Sequence, residues 1–298
     1  MSSVQLERPG TLALWWQGAR PRTLAISAVP VAVGAAAAPH LSAWRTAAAA
    51  VTALGLQVGV NYANDYFDGV RGVDTAARVG PTRLVASGLA SPRAVATAAA
   101  LAVGVAAVAG IALAVAVGPV LLLVGAAAIL ATFLYSGGPR PYAAAGLGEV
   151  AVFAFFGPVA TVGTALVETG HGIPAAAWWA SIPCGLLAVD VLLVNNIRDI
   201  PTDSATGKRT LAVRIGDPAS RRLYAAVLVA AYASVLAGVV VRALPVPALL
   251  ALLALPLART PLTVVARGRG RELVAGLIAT VRLHVVTGVL LTAGLALR

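Results

Sequence analysis

Residues 93–117 read Arg93-AVATAAALAVGVAAVAGIALAVA-Val117, twenty-four consecutive positions after the arginine without a charged side chain. A helix needs roughly 20 predominantly apolar residues to cross the hydrocarbon of a bilayer. This stretch is long enough, and it lacks the polar face that a surface helix in water presents. Runs of the same kind recur from Thr23 nearly to the C-terminus of the 298-residue chain. Hydrophobic residues make up 59% of it and charged residues 11%, against about 25% charged in an ordinary globular domain. The expected fold is therefore all-α: a polytopic membrane helical bundle forming a single domain over residues 1–298.

Working outward from this run, the apolar pattern predicts nine transmembrane helices: Thr23–Ala38, Thr46–Phe67, Arg93–Val117, Pro119–Tyr135, Leu147–Val167, Pro174–Asn195, Ser220–Val241, Pro247–Ala266 and Glu272–Leu297. Eight result if the Gly118-Pro119 break is bridged, and Pro256 and Pro261 interrupt the eighth segment. Arg20 and Arg22 before the first run superficially resemble a secretory signal, but the many later spans favour a retained helix. Trp15 and Trp16 just ahead of it suit the membrane interface. Cys184 is the single cysteine, so no internal disulfide forms.

The formal charge of +11 would suggest a nucleic-acid partner in a soluble domain. Here it reflects loops, because Lys and Arg concentrate on the cytoplasmic side of membrane proteins. With the N-terminus inside, eighteen of the 22 Lys and Arg fall on inner segments; Arg45, Arg242 and Arg298 fall outside and Arg282 lies within the last helix. The expected topology places the N-terminus and the basic loops in the cytoplasm and the C-terminus outside, in a bacterial cell membrane. No nucleic-acid partner is expected.

Five of the eleven acidic residues gather in two clusters. The first is Asn61-Tyr-Ala-Asn64-Asp65-Tyr-Phe-Asp68-Gly-Val-Arg71-Gly-Val-Asp74, in which Asn61, Asp65 and Asp68 share one helical face. The second is Asn195-Asn196-Ile-Arg198-Asp199-Ile-Pro-Thr-Asp203, where Pro201 is expected to kink or end the helix between the two aspartates. Both clusters close helices on the same predicted side. Facing carboxylates repel, and a cation removes the difficulty: Mg²⁺ takes one or two carboxylates together with substrate phosphates. Asparagines add neutral oxygen ligands. Flanking Arg71, Arg78, Arg83, Arg198, Lys208 and Arg209 suit the remaining phosphate oxygens. Acid, metal and base at a membrane edge point to a diphosphate whose tail stays in lipid.

At these residues the sequence resembles the UbiA superfamily of intramembrane prenyltransferases, which carries N-D-x-x-D-x-x-x-D after its second helix and D-x-x-x-D after its sixth. Asn64, Asp65 and Asp68 match the first motif; Asp199 and Asp203 match the second. Position 72, where the first motif has its third aspartate, is glycine, and the next acid is Asp74. Finer features resemble the branch that prenylates 1,4-dihydroxy-2-naphthoate in menaquinone biosynthesis. These are Arg20-Pro-Arg-Thr23, the delayed Asp74, Gly80-Pro-Thr-Arg83-Leu-Val-Ala-Ser-Gly88, and NNIRDIPTDSATGKRTLAVRIG from Asn195 to Gly216.

The resemblance implies a helical bundle around a central cavity open sideways to lipid. It implies two Mg²⁺ ions held by Asp65, Asp68, Asp199 and Asp203, with Asp74 as a further candidate ligand. Asn61, Asn64, Asn195 and Asn196 would complete or orient the metal shell, and Arg71, Arg83, Arg198, Lys208 and Arg209 would grip the diphosphate of a polyprenyl donor. Tyr135, with Tyr62, Tyr66 and Phe67, is among the aromatics near enough in sequence to flank a prenyl cation. Arg22 and Arg140 are candidates for an acceptor carboxylate, and Glu149 for a proton acceptor or salt-bridge partner. Asp190, Arg282 and His284 sit within helices, where an isolated charge costs about 2.5–3.5 kcal/mol, and an Asp190–Arg282 pair is expected. Two rivals stay open at this level: a relative acting on another acceptor such as 4-hydroxybenzoate, and a cation-coupled transporter, which would place its ion site near the bilayer midplane.

Overall fold

The computed structural model describes residues 10–74, 80 and 82–297. Arg8, Arg78 and Arg298, counted above among the loop charges, lie outside the described residues. Among those described there is no strand. The helices are α1 (Thr11–Ala19), α2 (Pro21–Ala37), α3 (Ala43–Val70), α4 (Pro92–Val117) and α5 (Val120–Leu134). They continue with α6 (Gly148–Thr169), α7 (Ala175–Ala205), α8 (Leu211–Ile215), α9 (Asp217–Val240), α10 (Val246–Arg267) and α11 (Glu272–Ala296). Six of these, α4, α6, α7, α9, α10 and α11, are long and apolar enough to cross a membrane; α2 and α5 are apolar but shorter. The protein is a multi-pass membrane bundle.

Local chemistry explains where the helices break. Ser91 caps α4 by accepting from the Ala94 amide at 3.2 Å, with Pro92 at the first helical position; both are strong start signals. The expected break at Gly118-Pro119 is present. Gly118 has φ 151°, a backbone that only glycine adopts without strain. α6 widens into a π-helical stretch over Phe155–Val162 around Pro158, and α10 begins as a 3₁₀ helix over Val246–Ala258 and relaxes to α-helix at Arg259. The prolines expected to interrupt the eighth segment lie in that stretch and just beyond it.

Three boundaries differ from expectation. α3 runs on to Val70, so Asn61, Asn64, Asp65 and Asp68 lie within the helix and Asp74 beyond it. α7 continues through Pro201 to Ala205, so Asp199 and Asp203 stay one turn apart on a single helix. The Thr11–Ala19 stretch, ahead of the first expected helix, is helical and packs on α3.

α7 is the central element. Seventy-two per cent of its most apolar window is buried, against 22% for α4, which marks α4 as lipid-facing. Close crossings require missing side chains, as in other membrane bundles. A Cβ on Gly185 of α7 would lie 2.8 Å from the Phe153 ring and 2.9 Å from its carbonyl, and one on Gly157 of α6 would lie 2.8 Å from the Ser181 carbonyl. Behind α7, the Tyr224 hydroxyl of α9 bonds the Thr280 hydroxyl of α11 at 2.9 Å, and Tyr232 bonds Thr287 at 2.7 Å. The result is a cavity of about 1090 Å³. Its wall comes from α1 to α7, from α11 and from the loops that carry Arg83 and Lys208, while α9 and α10 pack behind.

Gly185→Ala should destabilise the protein by about 1–3 kcal/mol through overpacking, read as a lower thermal midpoint in detergent. Leu253→Ala on α10, 66% exposed, should leave the midpoint unchanged. Equal midpoints for the two variants would contradict the close α6–α7 crossing.

Candidate active site

The two polar clusters meet. Lys208, just beyond the end of α7, places Nζ 3.4 Å from Asp68 Oδ2 on α3. The cavity wall here includes Asn61 and Asn64 from α3, Asn195, Arg198, Asp199 and Asp203 from α7, and Arg83 and Lys208 from loops. Two stretches more than a hundred residues apart thus share one end of the cavity.

Each acid is compensated differently. Asp68 lies between Lys208 and Arg83, whose Nη2 is 3.9 Å away. Asp199 accepts two hydrogen bonds at 2.7 Å from Arg198, which also donates to Asn195 Oδ1 at 2.8 Å. Asp203 is buried on the wall. Asp65, expected as a metal ligand, is turned away. Its Oδ2 accepts from the Leu84 amide at 2.8 Å and its Oδ1 from the Val85 amide at 3.0 Å. A carboxylate satisfies the two N–H groups of a turn that would otherwise be stranded in the interior, and that turn carries Arg83.

Asp74, held less firmly as a ligand on sequence, is 3.0 Å from Arg83 Nε. The reason is local. Gly72 adopts φ 68° and the Val73 amide bonds back to the Asp68 carbonyl at 2.9 Å. This is a left-handed helix cap that swings the following residues toward the loop. An aspartate at position 72 would face the left-handed penalty that glycine avoids.

Other expected residues sort clearly. Arg71 does not reach the cavity: it donates to the Ser136 carbonyl at 2.7 Å and the Gly138 carbonyl at 2.5 Å, with its guanidinium 5.7 Å from the Phe67 ring centre. Its hydrogen-bonding directions are taken up by stapling α3 to the loop after α5. Arg140 and Arg209 are exposed and absent from the wall. Arg22 and Tyr135 line it. The Tyr135 ring stacks edge-on against Tyr142 at 5.4 Å. Tyr142 donates to the Ala131 carbonyl, and burial pushes its hydroxyl up to about 12, so it remains a donor near neutrality. Asn196 donates to Glu149 Oε1 at 2.8 Å, while Glu149 Oε2 is buried without a hydrogen-bond partner among the described residues. The bond uses the Asn196 amide nitrogen and orients the side chain, whose Oδ1 is the atom a metal would take. The Asp190–Arg282 pair is not made: Asp190 is fully buried within electrostatic reach of Tyr224 and Tyr232 on α9, whereas Arg282 lines the cavity from α11.

Residues 27–262 match the UbiA prenyltransferase family. The chain belongs to that family. A 1,4-dihydroxy-2-naphthoate octaprenyltransferase of Mycobacterium tuberculosis is 44% identical over 268 residues, 89% of this chain and 90% of its own length. An Escherichia coli enzyme of the same description is 34% identical over 223 residues, 72% of each chain. In fold, the chain is similar to an apo UbiA homolog from Aeropyrum pernix, with TM-score 0.69 and 17% identity over 92% of this chain and 97% of that one. It is also similar to an Archaeoglobus fulgidus UbiA homolog bound to DMAPP and Mg²⁺, with TM-score 0.58 and 12% identity over 93% and 98% of the two chains.

Several contacts at the site have no signature in the sequence. Ser136 donates to Asn64 Oδ1 at 2.7 Å, and Asn61 donates to the Ala19 carbonyl at 2.9 Å. Arg20 lines the cavity at φ 56°, a backbone costing a bulky residue about 1–3 kcal/mol and characteristic of functional sites. Its strain became visible only once α1 and α2 were seen to meet there.

Among the described residues no three His, Cys, Asp or Glu side chains converge. The set at the cavity is nonetheless hard and oxygen-rich, and Arg83 Nη1 beside it is buried without a hydrogen-bond partner among the described residues. A donor set needing phosphate oxygens to complete it fits Mg²⁺ carried with a diphosphate.

Asp65→Ala should expose the Leu84 and Val85 amides to hydrogen exchange and lower stability by about 1–3 kcal/mol per stranded donor. Asp203→Ala should leave their protection intact. Persistent protection of both amides in Asp65→Ala would rule out the anchoring role.

Proposed function

We propose that this protein transfers a polyprenyl chain from polyprenyl diphosphate to 1,4-dihydroxy-2-naphthoate, releasing diphosphate and carbon dioxide. The observation that carries this reading is the Lys208–Asp68 contact, which joins both acidic motifs at one cavity. The naphthoate prenylation for which relatives up to 44% identical over most of the chain are named supports the naphthoate acceptor. In this reading nine helical segments cross a bacterial inner membrane, with the N-terminus and the site cytoplasmic, as the loop charges favour.

Two Mg²⁺ ions, bound through Asp68, Asp199 and Asp203 with Asn61, Asn64 and Asn195, would supply positive charge to the diphosphate. Arg83 and Lys208 add donors to oxygens the metal leaves uncovered, and Arg198 fixes the Asp199 carboxylate. Asp65 and Asp74 hold the Arg83 loop in place. The donor's C1–O bond breaks with its electron pair passing to the diphosphate, and the allylic cation spreads over C1 to C3. Fixed cations at the leaving group stabilise this state more than the ground state, which lowers the barrier. The naphthoate ring carbon that bears the carboxylate bonds to C1, and its bond to the carboxylate breaks with the electron pair returning to the ring as carbon dioxide leaves. Tyr135 flanks the cation, and the apolar wall excludes water that would capture it.

A transporter would need its carboxylates near the midplane, whereas these acids meet at one end of the bundle. A relative using another acceptor, such as 4-hydroxybenzoate, shares the diphosphate site and differs only in product.

Purified, lipid-reconstituted protein incubated with a polyprenyl diphosphate and several aromatic acceptors should yield a decarboxylated, prenylated naphthoquinol by mass spectrometry. Chelating Mg²⁺ should abolish product, and Asp199→Ala or Asp68→Ala should lower the rate at least about 100-fold. Product with a different acceptor alone would reassign the substrate.

A further inference from the structure

The basic residues around the diphosphate end are engaged: Arg83 with Asp68 and Asp74, Lys208 with Asp68, Arg198 with Asp199 and Asn195. Two other arginines on the same cavity wall make no hydrogen bond or ion pair with any described residue. They are Arg22 on α2 and Arg282 on α11, both exposed to the cavity.

Arg282 lies ten residues after the start of α11, roughly 15 Å along the helix. Its neighbours on the wall, Val274, Leu277, Ile278 and Val281, are all apolar. An unpaired cation at that depth is costly, and such residues face a cavity and find a partner there. α2 and α11 pack together, and Leu277 and Val281 of α11 join the apolar cluster that holds Ile26 of α2. Arg22 lies one turn before Ile26. Side chains on a helix lean toward its N-terminus, which carries the Arg282 guanidinium back along α11 toward the level of Arg22. The α2–α11 seam therefore offers two cations to the cavity with no carboxylate between them.

The diphosphate has its own bases, so this seam suits a second anion. Resting on the reaction proposed above, we propose that Arg282, with Arg22, binds the carboxylate of the aromatic acceptor and makes the site selective for carboxylated rings. Arg282 then acts in substrate binding, and its planar fork matches a carboxylate where lysine offers only a point charge. A second source of the same chemistry is the headgroup of an anionic phospholipid entering from the bilayer.

The test uses full-length protein in phosphatidylcholine nanodiscs. For Arg282→Gln, the naphthoate KM should rise on the order of 10- to 100-fold, the loss expected for a charge-assisted bond, with the donor KM within twofold. Arg282→Lys should fall between, and it guards against a glutamine variant that misfolds. In wild type, 1-hydroxy-2-naphthoate should inhibit far better than 1-naphthol, and Arg282→Gln should lose that preference. Adding phosphatidylglycerol should leave the wild-type naphthoate KM unchanged. If wild type forms no prenylated naphthoate, the parent reaction fails before Arg282 is at issue. If it does, an unchanged naphthoate KM in both variants overturns this assignment alone. A defect present only in phosphatidylglycerol membranes overturns it in favour of a lipid headgroup.

Discussion

Carboxylates brought together at the edge of a membrane must each find a counter-charge or a donor, and the architecture of this end of the bundle follows from how they do so. Asp68 is met by Lys208 from beyond α7 and by Arg83 from the loop before α4. Asp199 is met by the arginine preceding it. Asp65 takes two amides of the loop itself. Removing a charge from water is expensive unless its partners are well placed, so these contacts tie α3, α7 and the Arg83 loop into one unit. The loop is positioned because Asp65 holds its backbone, and Arg83 is positioned because the loop is.

Helix packing serves this meeting point. α7 has to be long, buried on most sides and continuous past Pro201 to present both Asp199 and Asp203. Missing side chains at Gly157 and Gly185 let α6 approach it closely. Hydroxyl pairs from α9 to α11 brace its far side, where lipid would give no hydrophobic reward for association. α4 and α5 carry exposed apolar faces, as expected of helices whose other boundary is lipid. The cavity is thus bounded by polar residues at one end and by valine, leucine and phenylalanine along the rest, a division that suits an amphiphilic substrate with an anionic head.

Charge on the wall is divided as well. At the acidic end, arginine and lysine are already committed to aspartates, which a diphosphate with its metal would take over. Along α2 and α11, Arg22 and Arg282 have no such partner among the described residues. A reaction between a diphosphate ester and an aromatic acid requires two anions to be held without sharing one set of cations, and the cavity is arranged accordingly.

Much of this was legible in the chain alone. Long uncharged runs define a membrane helix because every backbone group must be satisfied within it. The i, i+4 and i+7 spacing of Asn61, Asp65 and Asp68 puts them on one face whatever surrounds the helix. Side-chain periodicity, however, names a face and says nothing of what lies opposite. Only the tertiary structure turned Asp65 onto the Leu84 and Val85 amides, carried Arg71 to the carbonyls after α5, left Arg140 and Arg209 outside, and set Arg282 on the cavity wall instead of beside Asp190. Pro201 likewise did not end its helix. Local sequence determines which groups a helix can offer, because helix geometry is local; which of them meet is decided by helix rotation and loop path, which depend on packing between distant segments.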